Sequence, residues 1–202
     1  MHRRDFIKKV ILFSLSFVIL KTKIMANSIF KPFNLVDGVF VNNYVYHTSS
    51  FKDFWKWRRE SSKPKPITFP IIGNDSEYLK SNKSKKTITW IGHSTFLLQI
   101  DGINILTDPH FTKRASPLSF MGPSRTTPPG LKIEELPFID FVLISHNHYD
   151  HLDSKTIKLL LKKQNVNQPR FFVPLKLKEI MSKLGAINVK EHEWWQMTQF
   201  KN

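Results

Sequence analysis

The stretch that decides the fold is Ser145-His146-Asn147-His148-Tyr149-Asp150-His151-Leu152-Asp153. It follows a short apolar run at 141–144, which predicts a buried strand. After it, Asp153 or Ser154 is suited to cap a helix with one apolar face, formed by Ile157, Leu160 and Leu161. The three histidines and Asp150 are therefore expected in a strand-to-helix loop. Open α/β folds place ligands and chemistry at that end of a strand.

Imidazole and carboxylate side chains at this density favour a divalent ion such as zinc. His146 and His148 are two residues apart, so in an extended segment they point the same way and can bind one ion. Asp150 and His151 follow where the chain begins to turn, which predicts a second ion nearby. The alternative is a polar loop whose histidines make ordinary hydrogen bonds. The chain has no cysteine, so any metal ligand must be His, Asp or Glu.

The pattern His-x-His-x-Asp-His is the signature of the metallo-β-lactamase superfamily. Within that superfamily the chain most resembles N-acylphosphatidylethanolamine-hydrolysing phospholipase D and its bacterial relatives. The resemblance extends over about residues 40–195, and several separate segments agree in order. These segments are 89–95, 106–109, 114–117, 121–123, 135–137, 143–153 and 172–175.

The resemblance implies an α/β (α+β) chain that forms the first half of an αββα sandwich. It implies two zinc ions, bound by His146, His148, Asp150 and His151, with Asp150 also taking part in catalysis. Tyr149 would contact a phospholipid or another phosphodiester substrate. The alternatives are another hydrolase on the same fold, such as a lactonase or a nuclease, or a non-catalytic fragment of a decayed or split gene.

The family's remaining ligands are a histidine, a bridging aspartate and a final histidine, which lie further along the chain. None of these segments occurs before Asn202. The resemblance therefore implies a truncated N-terminal portion that lacks its C-terminal half. We expect such a portion to be inactive alone, because a hydrolytic metal needs three or more protein ligands and an open position.

Three regions are predicted along the chain. Residues 1–26 are signal-like, because Arg3 and Arg4 precede a short apolar run in the manner of a twin-arginine export signal. This predicts export to the periplasm; a membrane anchor and a cytoplasmic protein are the alternatives. Residues 27–85 form an N-terminal arm or linker, and 86–202 form the hydrolase domain. In the arm, the aromatic residues at 51, 54 and 55 share one helical face, which either packs on the domain or meets a membrane surface.

Composition narrows the set of partners. Apolar residues make up 41% of the chain, which argues against disorder. The formal net charge of +15 favours anionic lipids, nucleic acid or phosphorylated substrates, without specifying one of them. No nucleic-acid partner is expected, because no basic helix or aromatic-basic platform is recognisable.

Other elements are predicted around the signature stretch. Strands are expected at 87–91, 96–100, 103–106, 170–174 and 188–191, and a helix at 175–184 ends at Gly185. Asp101-Gly102 predicts a tight hairpin turn. His93 is either a second-layer contact of the metal or a turn residue, and Asp108 either lies near the site or caps a strand. The long loop at 110–137 either contacts the substrate or folds over the sheet edge; the family motif gives His110 no ligand role.

Overall fold

A computed structural model describes residues 34–42, 44, 49–61, 70 and 72–199. The chain divides into two compact units, Met1–Arg59 and Glu60–Asn202, which are described separately. The predicted signal-like segment at 1–26 lies outside the described residues. The predicted arm at 27–85 spans the boundary between the two units.

The first unit contains a small hairpin and most of one helix. Strands β1 (Leu35–Val36) and β2 (Val39–Phe40) pair in antiparallel fashion. Helix α1 (Phe51–Glu60) follows, and none of its residues is buried. Ser50 begins this helix with a reciprocal cap: its Oγ accepts from the backbone N–H of Asp53 at 3.2 Å, and its own N–H donates to the Asp53 carboxylate at 2.8 Å.

The second unit is built on one six-stranded sheet. Its strands are β3 (Thr87–Gly92), β4 (Thr95–Ile100), β5 (Ile103–Thr107), β6 (Phe141–Leu143), β7 (Arg170–Pro174) and β8 (Val189–His192), and they lie side by side in chain order. The pairs β3–β4 and β4–β5 are antiparallel, whereas β5–β6, β6–β7 and β7–β8 are parallel. The predicted α/β class is confirmed.

Among the described residues of the second unit, three helices and one 3-10 turn accompany the sheet. They are α2 (Ser76–Ser81), α3 (Ser154–Lys163), α4 (Lys178–Lys183) and the 3-10 turn Ile133–Glu135. Within the part of the chain that the structure describes, no helix has both the length and the apolar character needed to cross a membrane.

Most predicted elements occur where the residue pattern placed them. Asp101 and Gly102 have φ angles of 52° and 80°, which form the predicted tight turn between β4 and β5. Helix α4 is shorter than predicted and begins at Lys178. The reason is local: Lys176 is left-handed, with φ of 68°, and the N–H of Leu177 donates to the carbonyl of Pro174 in a turn.

The core lies on one face of the sheet. Alternate strand residues on this face are buried together with the apolar faces of α3 and α4; these residues are Leu97, Leu106, Val142, Phe171, Ile157, Leu160 and Met181. Each such side chain contributes about 1.5–3 kcal/mol by leaving water. Ile157, Leu160 and Leu161 are buried as predicted, so the helix behind the signature stretch presents its apolar face to the core.

A buried polar network joins α2 to the sheet. The side-chain amide of Gln99 donates to the carbonyl of Leu79 at 2.7 Å and to Oδ1 of Asn104 at 2.8 Å. Asn82, just after α2, donates to Oε1 of Gln99 at 3.0 Å. Leu79 itself belongs to the core, so the segment around α2 is an integral part of the second unit.

The opposite face of the sheet is apolar but only partly covered. Strand register places Ile88, Leu98 and Ile105 side by side on this face. Ile88 is 76% exposed and Trp90 is 58% exposed. We refer to this surface, which also includes Leu143 and Phe172, as the open sheet face. Apolar residues on a solvated face are unusual in a sheet whose register is otherwise well specified.

Candidate metal centre

Three segments meet at one edge of the sheet. The 92–95 turn joins β3 to β4, Asp108 follows β5, and the signature stretch follows β6. They converge because β4 begins where its antiparallel neighbour β5 ends, and because β6 runs parallel to β5. Thr95 Oγ1 donates to the carbonyl of Asp108 at 2.7 Å, and the Asp108 N–H donates to the carbonyl of Leu143 at 2.8 Å.

The turn at 92–95 positions His93. A β-bulge interrupts the pairing of β3 with β4 between Trp90 and Gly92. Gly92 has a φ of 144°, and His93 is left-handed with a φ of 51°. The indole N–H of Trp90 donates to the His93 carbonyl at 2.9 Å and holds the turn. This backbone directs the imidazole of His93 towards the signature stretch.

The carboxylate of Asp108 contacts two residues of the signature stretch, Ser145 and His151. One carboxylate oxygen accepts from the Ser145 backbone N–H at 2.7 Å, and the other accepts from Ser145 Oγ at 2.7 Å. The second oxygen also lies 2.9 Å from Nδ1 of His151. A carboxylate in this position keeps the proton on Nδ1, which leaves Nε2 of His151 with a free lone pair for a metal.

A group of three side chains has the spacing of metal ligands. Nε2 of His93 lies 3.3 Å from Nε2 of His151 and 2.9 Å from Oδ2 of Asp150. Nε2 of His151 lies 3.6 Å from the same carboxylate oxygen. Ligand atoms bound tetrahedrally to zinc at about 2.0–2.1 Å are separated by about 3.3 Å. The donor types and their spacing therefore fit a divalent ion at this cluster of three.

His146 and His148 form a second group beside the first. Nε2 of His146 lies 3.1 Å from Nδ1 of His148, again the separation of two ligands on one ion. The rings of His146 and His151 are 4.0 Å apart, so the two groups are neighbours. Ser145 Oγ lies 2.9 Å from Nδ1 of His146 and can fix the orientation of that ring.

The charges at the site suit metal binding at neutral pH. Burial lowers the pKa of His146, and the neighbouring His151 and His148 lower it further, although Asp108 and Asp150 oppose this. Burial alone favours the neutral acid at Asp150. A hydrogen bond from its own backbone and the nearby His151, His93 and His148 outweigh that effect and lower the pKa of Asp150. Neutral imidazoles and a charged carboxylate are the forms that bind metal.

A helix cap anchors the end of the signature stretch. Asp153 is the N-cap of α3, and its carboxylate accepts from the backbone N–H of Lys155 at 3.1 Å. The Thr156 hydroxyl donates to the same carboxylate at 2.6 Å. Before the cap, the Leu152 N–H donates to the His148 carbonyl at 2.8 Å. These bonds fix the turn that separates the His146–His148 pair from Asp150 and His151.

The structure thus brings the four predicted ligands to one edge of the sheet, as two neighbouring groups. Their assignment as ligands stays a prediction, as do the roles of Asp150 in catalysis and of Tyr149 in substrate binding. Tyr149 is 51% exposed at the surface of the stretch. The sequence left His93 undecided between a metal contact and a turn residue; in the structure it is both in the turn and in the cluster.

A mixed sheet with histidines and an aspartate at the carboxyl ends of its strands is suited to bind a divalent metal ion, and comparison with known proteins identifies the family. Residues 87–198 match the family described as the Beta-lactamase superfamily domain, and the chain belongs to it. Its fold is the metallo-β-lactamase superfamily fold, as predicted.

Two curated relatives with assigned names are similar to part of this chain. N-acyl-phosphatidylethanolamine-hydrolyzing phospholipase D 1 of Caenorhabditis elegans is 42% identical over 118 residues, which are 55% of this chain and 32% of the relative. The mitochondrial enzyme of that name from Saccharomyces cerevisiae is 37% identical over 56% of this chain and 23% of its own length. The chain spans about a third or less of the length of these relatives.

Among solved structures, an isothiocyanate hydrolase from Delia radicum gut bacteria is similar, with a TM-score of 0.41 and 21% identity. The likeness covers 52% of this chain and 41% of that one.

Proposed function

We propose that this chain is the metal-binding portion of a zinc-dependent phosphodiesterase of the N-acylphosphatidylethanolamine phospholipase D type. The observation that carries the proposal is the cluster of His93, Asp150 and His151, whose donor atoms have the mutual spacing of zinc ligands. The phosphodiester substrate is supported by the two relatives named as phospholipases D.

In this proposal two zinc ions are bound side by side. His146 and His148 hold the first, and Asp150 and His151 hold the second; His93 is proposed as a further ligand, because its Nε2 lies 2.9 Å from Oδ2 of Asp150. Bound zinc lowers the pKa of water and polarises a phosphoryl oxygen, which is the chemistry that hydrolysis requires. Asp108 keeps His151 in the tautomer that ligates. Tyr149 would contact the substrate phosphate or its headgroup.

A phospholipid substrate would bring the protein to a membrane surface. Helix α1 supports this part of the proposal, because Phe51, Phe54 and Trp55 are exposed and their rings contact one another at about 6 Å. Lysines and arginines lie on the same helix. Aromatic and basic side chains together are typical of interfacial helices that contact anionic headgroups.

Export through a twin-arginine route is a separate proposal that rests on the sequence of residues 1–26 alone. That route carries folded proteins, which suits a protein that must acquire its metal before crossing the membrane.

We further propose that the complete activity needs residues other than those described. The cluster of His93, Asp150 and His151 offers three ligands, but the His146–His148 pair offers two, fewer than the three that usually fix a hydrolytic zinc. Two divalent ions held close together also repel each other strongly unless an anion bridges them. The open sheet face supports the same view, because a second layer of the family fold would cover it.

The test is an activity assay on the full chain, alone and mixed with the separately expressed C-terminal half of a homologue. We expect no zinc-dependent turnover of N-acylphosphatidylethanolamine by the chain alone and turnover on mixing, which Asp150→Ala should abolish. Lactone and RNA substrates assayed in parallel separate phosphodiesterase activity on lipid from the alternative hydrolases. Turnover by the chain alone would contradict the proposed need for further ligands. Turnover of lactone or RNA but not lipid would contradict the proposed substrate.

A further inference from the structure

A cavity of about 390 Å³ opens directly beside the candidate metal centre. His93 and Asp150 of the cluster form one wall, and Trp90 lies next to them. The other walls come from the long loop after β5 and include His110, Arg125 and Thr127. The cavity therefore adjoins both the ligands and a segment that the metal chemistry described above does not use.

Arg125 is a half-buried cation held in a fixed position. Its Nε donates to the carbonyl of Thr127 at 3.3 Å, and its Nη1 donates to the carbonyl of His110. The guanidinium lies against Gly92, where any Cβ would collide with Nη2, so the glycine makes room for it. Nη2 has no hydrogen bond to another described residue, so both of its N–H groups are available to a ligand.

Arg125 also lacks a direct counter-ion. No carboxylate of the described residues forms an ion pair with it, and the nearby Asp153 acts only through space. Burial lowers the pKa of Arg125, and Asp153 opposes that shift. A charge removed from water without a partner is destabilising, so a bound anion would stabilise the guanidinium of Arg125.

His110 provides a second poorly paired polar group in the same cavity. It is only 4% exposed; the backbone of Arg114 interacts with its ring, but neither ring nitrogen has a partner with good hydrogen-bond geometry among the described residues. Its backbone is fixed at both ends: the N–H donates to Thr95 Oγ1 at 3.0 Å, and the carbonyl accepts from Arg125. A buried imidazole without well-formed hydrogen bonds costs about 1–3 kcal/mol. An anion beside Arg125 would accept the N–H of this ring.

We infer that this cavity, which we call the anion pocket, binds the phosphodiester group of the substrate through Arg125 and His110. The geometry places the bound group between these donors and the wall formed by His93 and Asp150, next to the metal. A planar guanidinium with two free N–H groups matches two phosphoryl oxygens. The identity of the ligand rests on the proposed phosphodiesterase function; the need for an anion rests on the poorly paired groups alone.

The test titrates dimethyl phosphate and inorganic phosphate into the zinc-free full chain at constant ionic strength. Binding is followed by the NMR signal of the His110 ring, because a diffuse attraction to a +15 chain does not single out one buried imidazole. We expect saturable shifts of this signal with dimethyl phosphate. No shift at any concentration would overturn the inference. A response to inorganic phosphate only would overturn the assignment to a diester.

Matched variants test which residues bind dimethyl phosphate. Arg125→Gln should weaken dimethyl phosphate binding about tenfold or more, since it removes charge-assisted hydrogen bonds. Lys83→Gln removes one positive charge from an exposed residue before β3 and should leave binding unchanged. His110→Phe keeps the bulk of the ring but not its donors, and should also weaken binding. Affinities of all the variants are measured by isothermal titration calorimetry, because His110→Phe has no imidazole signal to follow. Dimethyl phosphate affinity equal to wild type in either pocket variant would overturn the inference, and His110→Phe decides if Arg125→Gln does not fold.

Zinc content, measured on the same samples after reloading, separates this inference from the proposed function. Variants that keep their zinc but lose dimethyl phosphate support the anion pocket. A wild-type chain that binds the diester but no zinc would contradict the phosphodiesterase proposal and leave the pocket in place. A chain that binds zinc but no diester would contradict the anion pocket and leave the phosphodiesterase proposal in place.

Discussion

Replacing Asp108 with Asn tests how the centre is built, because the change keeps the shape of the side chain and removes its charge. In the structure this carboxylate accepts hydrogen bonds from the backbone and the hydroxyl of Ser145 and from the ring of His151, at 2.7, 2.7 and 2.9 Å. In the variant, the amide NH₂ faces either the backbone N–H of Ser145, or both Ser145 Oγ and Nδ1 of His151. If it faces the ring, the proton moves to Nε2, the atom that should ligate.

We expect Asp108→Asn to lower zinc affinity about 10–100-fold, the usual effect of losing a group that orients a ligand. The loss of charged hydrogen bonds should also reduce the free energy of unfolding by about 1.5–3 kcal/mol. Competition with a chromophoric chelator measures the first quantity, and urea denaturation measures the second. Asp101→Asn is the control, because it removes the same charge at an exposed turn position that Asn also tolerates. Zinc affinity equal to wild type in Asp108→Asn would refute the proposed role of this carboxylate.

Three further predictions address other parts of the molecule. His146→Ala or His148→Ala should reduce the zinc retained after dialysis, measured by atomic emission, and unchanged zinc in the double variant would remove both from the ligand set. Replacing Arg3 and Arg4 with Lys should block export of a tagged chain in cell fractionation, and identical fractionation of both forms would contradict the twin-arginine proposal. Stability should fall with decreasing pH below about 6.5 through His110: burial and then Arg125 lower its pKa in the fold, so the unfolded chain binds the extra proton. His110→Phe should show a weaker pH dependence in urea denaturation between about pH 7.5 and 5, and an unchanged dependence would exclude this residue as the cause.

Local signals made much of the fold predictable. Alternating apolar residues predicted the strands, Asp101-Gly102 predicted the hairpin turn, and Asp153 was one of two residues suited to cap α3. The end of β6 and the start of α4 were less predictable. At α4 the left-handed conformation of Lys176 depends on the turn after β7, which the residue pattern alone does not reveal.

The candidate site was predictable where its residues are close in sequence. His146, His148, Asp150 and His151 fall within six positions and form a recognisable pattern. His93 is 58 residues from His151, and its place in the cluster follows from the pairing of β3, β4, β5 and β6. Its left-handed φ and the preceding glycine in the bulge are the local signals that mark such a turn.

The anion pocket was beyond prediction from sequence for a related reason. Arg125 and His110 both lie in a long loop without periodicity, and a loop of that kind gives no register from which to infer contacts. The signal that was available is compositional: an arginine and a histidine within a long Pro/Gly-rich loop, for which the sequence left open whether it contacts the substrate or folds over the sheet edge. Their lack of good partners is visible only once the loop is folded.

The central claim is that His93, Asp150 and His151 together hold a zinc ion. Anomalous diffraction at the zinc edge from crystals of the zinc-loaded full chain tests it most directly. The account predicts an anomalous peak about 2.0–2.2 Å from Nε2 of both histidines and from Oδ2 of Asp150. Zinc-loaded crystals that show no peak at this cluster, with or without a peak at the His146–His148 pair, would contradict it.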